Sequence, residues 1–346
     1  PIQTDIPMPP VIGVSRIPVL KSAPIPNGLA LRGADFGIIF SRATGGISQW
    51  LYKERDMLTG ENSTMGGLLK PSFYRVPTDN DEGGGADSFA SRWRKAGIDQ
   101  PSVLPVDMRI EKLGTQRVRV TCINDLVMAG GTIRQTTEYL VYGTGDVLVS
   151  TTCTAGTSTS AAASNLPPLA RVGMQITLPA SMSTLSWYGR GPFESYQDRK
   201  DAAFVGQYSG SLASQFFPYT MAQENGNKTD VRWAHLTNGG NTTGLLIIAE
   251  PNQTGPGLLN INARDYTDAA LIAAKNPHTQ TVERGSTTVV NIDYEQMGLG
   301  GDDSWTPRTH AAYLLPANRS YTYSFRLHPT DARTDRKAVV NMILPR

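Results

Sequence analysis

A period of two runs through most of this sequence. Gln116-Arg117-Val118-Arg119-Val120-Thr121-Cys122 alternates polar and apolar residues, the pattern of a strand with one buried face. The same β-branched character returns at 132–142, 146–153, 171–178, 229–236, 243–249, 287–294 and 319–328. Turn signals such as Asn27-Gly28, Gly45-Gly46, Gly143-Thr144-Gly145 and Asn238-Gly239-Gly240 fall between the runs. A helical pattern is clear only from Asp87 to Ala96, where Asp87 or Ser88 supplies the cap and Phe89, Trp93 and Ala96 share a face. So many strands with so little helix exclude a βαβ fold and predict an all-β protein, a large sandwich of two antiparallel sheets.

The chain has 346 residues, enough for one large domain or two ordinary ones. Residues 1–32 read as a connector or the edge of a preceding module, because seven prolines interrupt any regular element there. Gly13 to Ile17 is the one run in it that suggests an edge strand. Residues 33–329 form the main body, and 330–346 a tail that is charged first and apolar later. Thr154 to Pro168 reads as an irregular crossover loop; a boundary between two smaller sandwiches is the competing reading. The start at Pro1 suggests a fragment or a processed chain.

Charge narrows the function classes. The 32 basic and 30 acidic residues are interspersed, so no basic stripe points to nucleic acid. The longest apolar runs, such as 245–249, fall far short of the roughly 20 residues of a membrane-spanning helix. Cys122 and Cys153 lie in strand-like segments and read as buried free thiols, with a single disulfide as the alternative. Five sequons, at Asn62, Asn227, Asn241, Asn252 and Asn318, support secretion only weakly in a Thr-rich chain and leave the compartment open, cytoplasmic or secreted.

Three clusters depart from the strand background. In the first, Arg75-Val76-Pro77-Thr78-Asp79-Asn80-Asp81-Glu82-Gly83-Gly84-Gly85, acidic and amide side chains precede glycines. It reads as a mobile ligand-facing loop, a calcium loop, or a solvated turn with its own Asx hydrogen bonds. The second is Trp187-Tyr188-Gly189-Arg190-Gly191-Pro192-Phe193-Glu194-Ser195-Tyr196-Gln197-Asp198-Arg199. Its Glu194, Asp198 and Arg199 suit an ion-paired corner better than a catalytic set, and the glycine spacing lacks the helix of a dinucleotide loop. The third, Met297-Gly298-Leu299-Gly300-Gly301-Asp302-Asp303-Ser304-Trp305, is a tight loop ending on an aromatic that either stacks on a sugar or fills a core. His235, His278, His310 and His328 have no zinc-ligand spacing, and no Ser-His-Asp pattern presents itself.

Taken together, these motifs resemble the C-terminal region, or separate small chain, of family-2 β-galactosidases of the large bacterial type. The matching residues are Thr44-Gly45-Gly46-Ile47, Arg75 with Pro77-Thr78-Asp79-Asn80-Asp81, Tyr188 to Pro192 with Tyr196, Asp198 and Arg199, Gln223-Glu224-Asn225-Gly226, and Met297 to Trp305. The resemblance covers about residues 33–329 and implies a galactose-mutarotase-like supersandwich. It further implies retaining hydrolysis of terminal β-galactosides such as lactose, by two carboxylates on a (β/α)₈ barrel supplied by another domain or a large subunit. Mg²⁺ and Na⁺ are then implied for that barrel, with no catalytic or metal-binding residue and no cofactor in this chain, and the intact enzyme is expected to be oligomeric. By resemblance, Trp305 is the substrate-binding residue, and Asp79, Asn80, Asp81, Gly83, Asp302 and Asp303 belong to active-site loops. A free-standing carbohydrate-binding module and a mutarotase-like epimerase are the readings from other classes; the second needs a general acid and base that the scattered histidines do not supply.

Overall fold

A computed structural model describes residues 12–59, 67–155, 165–251, 257–274, 281–303 and 308–346. Its first elements are strands β1 (Lys21–Ile25), β2 (Gly28–Arg32), β3 (Phe36–Ser41), β4 (Gly46–Tyr52), β5 (Arg55–Asp56) and β6 (Leu69–Ser72), then helices α1 (Asp79–Glu82) and α2 (Phe89–Ala96). Long strands follow: β7 (Ser102–Lys112), β8 (Arg117–Met128), β9 (Gly131–Tyr142), β10 (Val147–Ala155), β11 (Arg171–Leu178), β12 (Thr184–Gly191) and β13 (Phe204–Ser211). The chain continues through β14 (Lys228–Val231), β15 (Trp233–Thr237), β16 (Thr243–Ala249), β17 (Leu259–Arg264), α3 (Asp268–Ala273), β18 (Thr288–Gln296), β19 (Tyr321–Asp331) and α4 (Arg336–Val340).

The strands make an antiparallel supersandwich. A nine-stranded sheet, in the order β13-β12-β15-β16-β19-β10-β9-β8-β7, faces a five-stranded sheet, β14-β17-β18-β11-β6. The period of two explains the core. Val118, Val120 and Cys122 on β8 and Tyr323, Phe325 and Leu327 on β19 meet Met174 and Ile176 on β11 and Val290 and Ile292 on β18. Each such side chain contributes about 1.5–3 kcal/mol when buried, so this seam is what the alternation encodes. Beyond the two sheets expected, β1 to β5 form a third, a meander whose Leu31, Ile38, Phe40 and Trp50 enter the same core. Cys122 and Cys153 are buried and free, and burial pushes both thiols up to about 12.

The segment 12–32 is more regular than its prolines suggest. Pro24 sits in β1, the edge strand of the meander, where a missing N–H interrupts no central ladder. Val14–Arg16 is a turn of 3-10 helix and not an edge strand; the Ile17 N–H bonds to the Val14 carbonyl at 3.0 Å instead of to a neighbouring chain. Helix α2 starts at Phe89, capped by the Ser88 hydroxyl, because residues 85–87 turn as 3-10 helix first. Trp93 on its buried face donates its indole N–H to the Pro168 carbonyl at 2.8 Å.

The tail straps the outer face of the nine-stranded sheet. Arg336 lies over the Trp233 ring on β15 at 4.4 Å, and Val339 and Val340 pack on Trp233, Leu246 and Ile248 of β15 and β16. Arg326 on β19, fully buried, donates to the Val339 and Met342 carbonyls, each at 3.1 Å, while Asp146 and Glu250 hold its other nitrogens. Leu344 then packs on Leu140, Tyr142 and Leu148 of β9 and β10, and Arg117 on β8 donates to the Pro345 and Arg346 carbonyls. Ile17 and Ile12 share that cluster, and the Ile12 N–H bonds to the Ile343 carbonyl at 3.0 Å, so both ends of the described chain meet on this face.

Candidate functional site

The outer face of the five-stranded sheet is polar yet buried. Ile261 and Ile292 point to the core, so their neighbours Asn260, Asn262, Asn291 and Asp293 point away from it. Residues 75–82, 216–228 and α3 lie over them, and all four are at most 1% exposed. Glu224 is the hub of this layer: its Oε1 accepts from Arg171 at 2.6 Å, Asn262 at 2.6 Å and Gln296 at 3.2 Å. Burial pushes Glu224 up, but Arg171 and Arg264 outweigh it and hold the carboxyl below its ordinary value. Asp293 fares differently. Arg171 stands 3.4 Å away without hydrogen-bond geometry, neither carboxylate oxygen has a hydrogen-bond partner, and burial pushes the group up to about 7.

The first sequence cluster sits on this layer, with a short helix over Asp79–Glu82. The Thr78 hydroxyl accepts from the Asp81 N–H, and Asp81 accepts from the Thr78 N–H, a reciprocal cap at the start of α1. Asp81 turns inward and takes both forks of the buried Arg75 guanidinium, at 2.9 and 2.8 Å. Arg75 also donates to the Met297 carbonyl at 2.6 Å and the Gly298 carbonyl at 3.1 Å, which ties α1 to the third cluster. Asp79 and Asn80 face outward; Asp79 accepts from Gln223 at 3.2 Å and Asn80 donates to the Leu299 carbonyl at 3.1 Å. Gly83 ends the helix with φ −65°, so the left-handed turns fall to Gly84 and Gly85.

The third cluster is held group by group. The Met297 N–H donates to Ala170, the Gly298 N–H to Tyr313 and the Gly300 N–H to Asp198, at 2.9, 3.0 and 2.8 Å. A Cβ on Gly298 would lie 2.5 Å from Asp198 Oδ2, and Gly301 has φ +96°, so side chains are refused at both positions. Asp302 is exposed and pairs with His310, and Asp303 is exposed beside it. Trp305 lies outside the described residues, with Ser304, Thr306 and Pro307.

The second cluster closes the arrangement as an ion-paired corner. Glu194 accepts from the Gly226 N–H at 2.7 Å and also from Arg199 and the Tyr219 hydroxyl. Arg199 lies over the Tyr196 ring at 5.4 Å and is half exposed. Three adjoining depressions, of about 210, 460 and 560 Å³, meet at Arg199 and form one groove. Asp79, Asn80, Glu194, Tyr196, Tyr219 and Gln223 line the smallest; Asp198, Gly300, Asp302, His310 and Tyr313 line the next. A larger depression of about 670 Å³ over the meander touches none of the sequence clusters.

Of the candidate residues, then, Asp79, Asn80 and Asp302 reach the groove, while Asp81 supports it from within. Sequence reasoning passed over Tyr219 and Gln223 as groove residues and His310 as the partner of Asp302. Gln223 stood in a quoted motif; Tyr219 and His310 carried no pattern at all. Among the described residues no three His, Cys, Asp or Glu side chains gather as they would around a metal ion. The groove carries hydrogen-bond donors and acceptors from four separate segments.

Residues 32–327 match the family model described as the beta galactosidase small chain. The chain is 33% identical over 303 residues to a beta-galactosidase of Priestia megaterium, covering 87% of this chain and 26% of that protein. It is 31% identical over 312 residues to a beta-galactosidase of Pseudoalteromonas haloplanktis, again 86% of this chain and 26% of the relative. The chain thus spans about a quarter of the length of these relatives. Among solved structures, its outline is similar to a putative aldose 1-epimerase from Escherichia coli K12, with TM-score 0.46 and 9% identity over 90% of this chain and 99% of the other.

Proposed function

Because this chain belongs to the β-galactosidase small-chain family, we propose that it is the β-sandwich portion, or small subunit, of a family-2 β-galactosidase. In this reading the whole enzyme hydrolyses terminal β-D-galactosides such as lactose with retention. Its nucleophile and acid/base, about 5 Å apart, then belong to a (β/α)₈ barrel on another domain or a large subunit, with Mg²⁺ and Na⁺ bound there. This chain supplies Trp305, which stacks on the sugar at the mouth of the active site. The observation that carries the reading is the family match across residues 32–327.

The geometry supports it in one respect. The backbone from Met297 to Gly300 is fixed by Arg75, Asn80, Asp198 and Tyr313, so the residues that lead to Trp305 start from a rigid base. A stacking side chain needs such a base, because an aromatic that wanders loses its contact. Reconstitution tests the proposal: the purified chain, the barrel portion of a related β-galactosidase, and their mixture are assayed on a chromogenic β-galactoside. The expected result is turnover by the mixture only. Turnover by this chain alone that disappears with a carboxylate substitution within it would place the chemistry here and sink the reading. Tight binding of galactosides without any association with a barrel would favour a free-standing carbohydrate-binding module.

A further inference from the structure

We propose that the free edge of the nine-stranded sheet, strand β13, pairs antiparallel with β13 of a second copy of this chain. The two edges of that sheet, β7 and β13, are built differently. A bare edge strand invites pairing, and charges, prolines and bulges are what ordinarily prevent it. β7 carries all three: Pro105, a bulge at Val106, and Asp107, Arg109, Glu111 and Lys112 along its length. The Arg42 guanidinium also donates to the Met108 carbonyl of β7 at 2.6 Å. β13 carries none of these guards. It reads Phe204-Val205-Gly206-Gln207-Tyr208-Ser209-Gly210-Ser211, without a charge or a proline, and keeps an unbroken register with β12 from end to end. Among the described residues no strand lies beyond it, and Phe204 is 75% and Val205 44% exposed.

The neighbours of β13 fix the direction of its hydrogen bonds. The Tyr188 carbonyl on β12 accepts from the Arg232 N–H at 2.7 Å, on the side away from β13, so Gln207 opposite Tyr188 turns its own groups outward. The Leu212 N–H donates to the Ser183 carbonyl at 2.9 Å, which sets the same alternation from the other end of the pair. Val205, Gln207 and Ser209 therefore present their N–H and C=O groups to the open side. A two-fold axis at Gln207 matches this row to itself: Gln207 faces Gln207 of the second copy, and Val205 faces its Ser209. Each outward N–H then meets an outward C=O. The Gln207 amide holds both a donor and an acceptor, so it pairs with its own image. Phe204 falls across from Gly210, which has no side chain of its own to oppose it. The absence of charge favours a second copy as the occupant: like charges do not meet across the axis, and a charged partner would find no ion to pair with. A two-fold of this kind is also the commonest symmetry of identical chains. The inference needs neither a barrel domain nor Trp305.

The test is sedimentation equilibrium and amide exchange on the full chain. The expected result is a monomer–dimer equilibrium in the micromolar range. Exchange at Val205, Gln207 and Ser209 should slow as the concentration rises, while Gly206 and Tyr208, already bonded to β12, stay protected throughout. Gln207→Lys sets like charges directly opposite each other at the axis and should weaken the dimer about fivefold or more. Its melting temperature in dilute solution should match the parent, because the position is exposed. Gln207→Glu alone should weaken the dimer in the same way, and an equimolar mixture of the two variants should recover it as a mixed pair. Leu104→Lys on the other edge should leave it unchanged. A chain that stays monomeric up to about 0.1 mM, a dimer indifferent to Gln207→Lys, a mixture of the two variants that stays monomeric, or a dimer lost in Leu104→Lys overturns the proposal. Protection of the three amides only on addition of the barrel portion of a related β-galactosidase also overturns it, by giving the edge to a different strand.

Discussion

Arg75 is the side chain whose removal tests the groove's architecture most directly. In Arg75→Met, Asp81 stays buried at 1% exposure without its cation. Breaking a buried pair in this way costs about 3–5 kcal/mol. At an unfolding entropy of about 2.1 cal/mol/K per residue, a chain of 346 residues gains or loses about 0.7 kcal/mol per degree. The melting midpoint should therefore fall by about 4–7 °C. The double variant Arg75→Met/Asp81→Leu removes both charges, and an apolar pair in their place is close to neutral, so most of the loss should return. The loop should not recover. The Met297 carbonyl still lacks its donor and the Gly298 carbonyl keeps only the Thr309 hydroxyl, and a buried carbonyl left unpaired costs about 1 kcal/mol or more. Calorimetry gives the midpoint, and amide exchange at residues 298–303 gives the loop; there the double variant should exchange about tenfold faster than the parent. Parent-like exchange in the double variant would show that Arg75 serves Asp81 alone and does not hold the loop.

Three further outcomes are expected. Trp305→Ala in the reconstituted enzyme should weaken substrate binding about fivefold, the equivalent of a stacking contact of about 1 kcal/mol, with the melting temperature unchanged; unchanged kinetics with a large fall in melting temperature would mark a core tryptophan. Burial raises Asp293 to about 7, above the ordinary carboxylate value, so its contribution to stability is full below about pH 4 and is lost as the pH rises through 7. The melting temperature of Asp293→Asn minus that of the parent should accordingly grow between those pH values, and a difference that is flat with pH would show the carboxyl to be ionised throughout. Truncation after Ala332 should expose Trp233, Leu246 and Ile248, raise dye binding to apolar surface, and strip exchange protection from residues 12–18, which the tail now clasps; unchanged protection there would make the strap an ornament.

Alternation made the sandwich legible because half of each long strand faces one apolar seam. On β8 the pattern from Arg117 to Leu126 reads directly as outside and inside. It failed on β17, where Leu259 to Arg264 is buried on both faces. Asn260 and Asn262 there look like solvent positions, and they are covered by segments distant in the chain, 216–228 among them. The meander was hidden by Pro24, since a proline read without its neighbours cannot reveal that it lies on an edge. In the groove, the motif residues were visible as clusters, but their division of labour was not. Nothing local separates Asp81, which points into Arg75, from Asp79 two positions earlier, which faces the groove. That division comes from the turn of α1, which carries one carboxylate inward and its neighbours outward.

The charges under the groove say something about why it is built this way. Arg75–Asp81 and Arg171–Glu224 are buried ion pairs, and such pairs are poor sources of stability compared with apolar residues of the same volume. Their effect lies in the penalty for partial assembly. Arg75 joins the segment at 75–82 to the one at 297–298, Arg171 joins β11 to the 216–228 cover, and Asp198 joins the second cluster to Gly300. Leaving any one tie open strands a charge or a carbonyl away from water, so the four segments favour closing together over closing in part. The rim of the groove thereby takes its rigidity from the sandwich beneath it, although the rim itself is loop. In the proposed galactoside reading, a rim that presents side chains to a sugar gains from that arrangement, because misplacement by an ångström is enough to lose the contact.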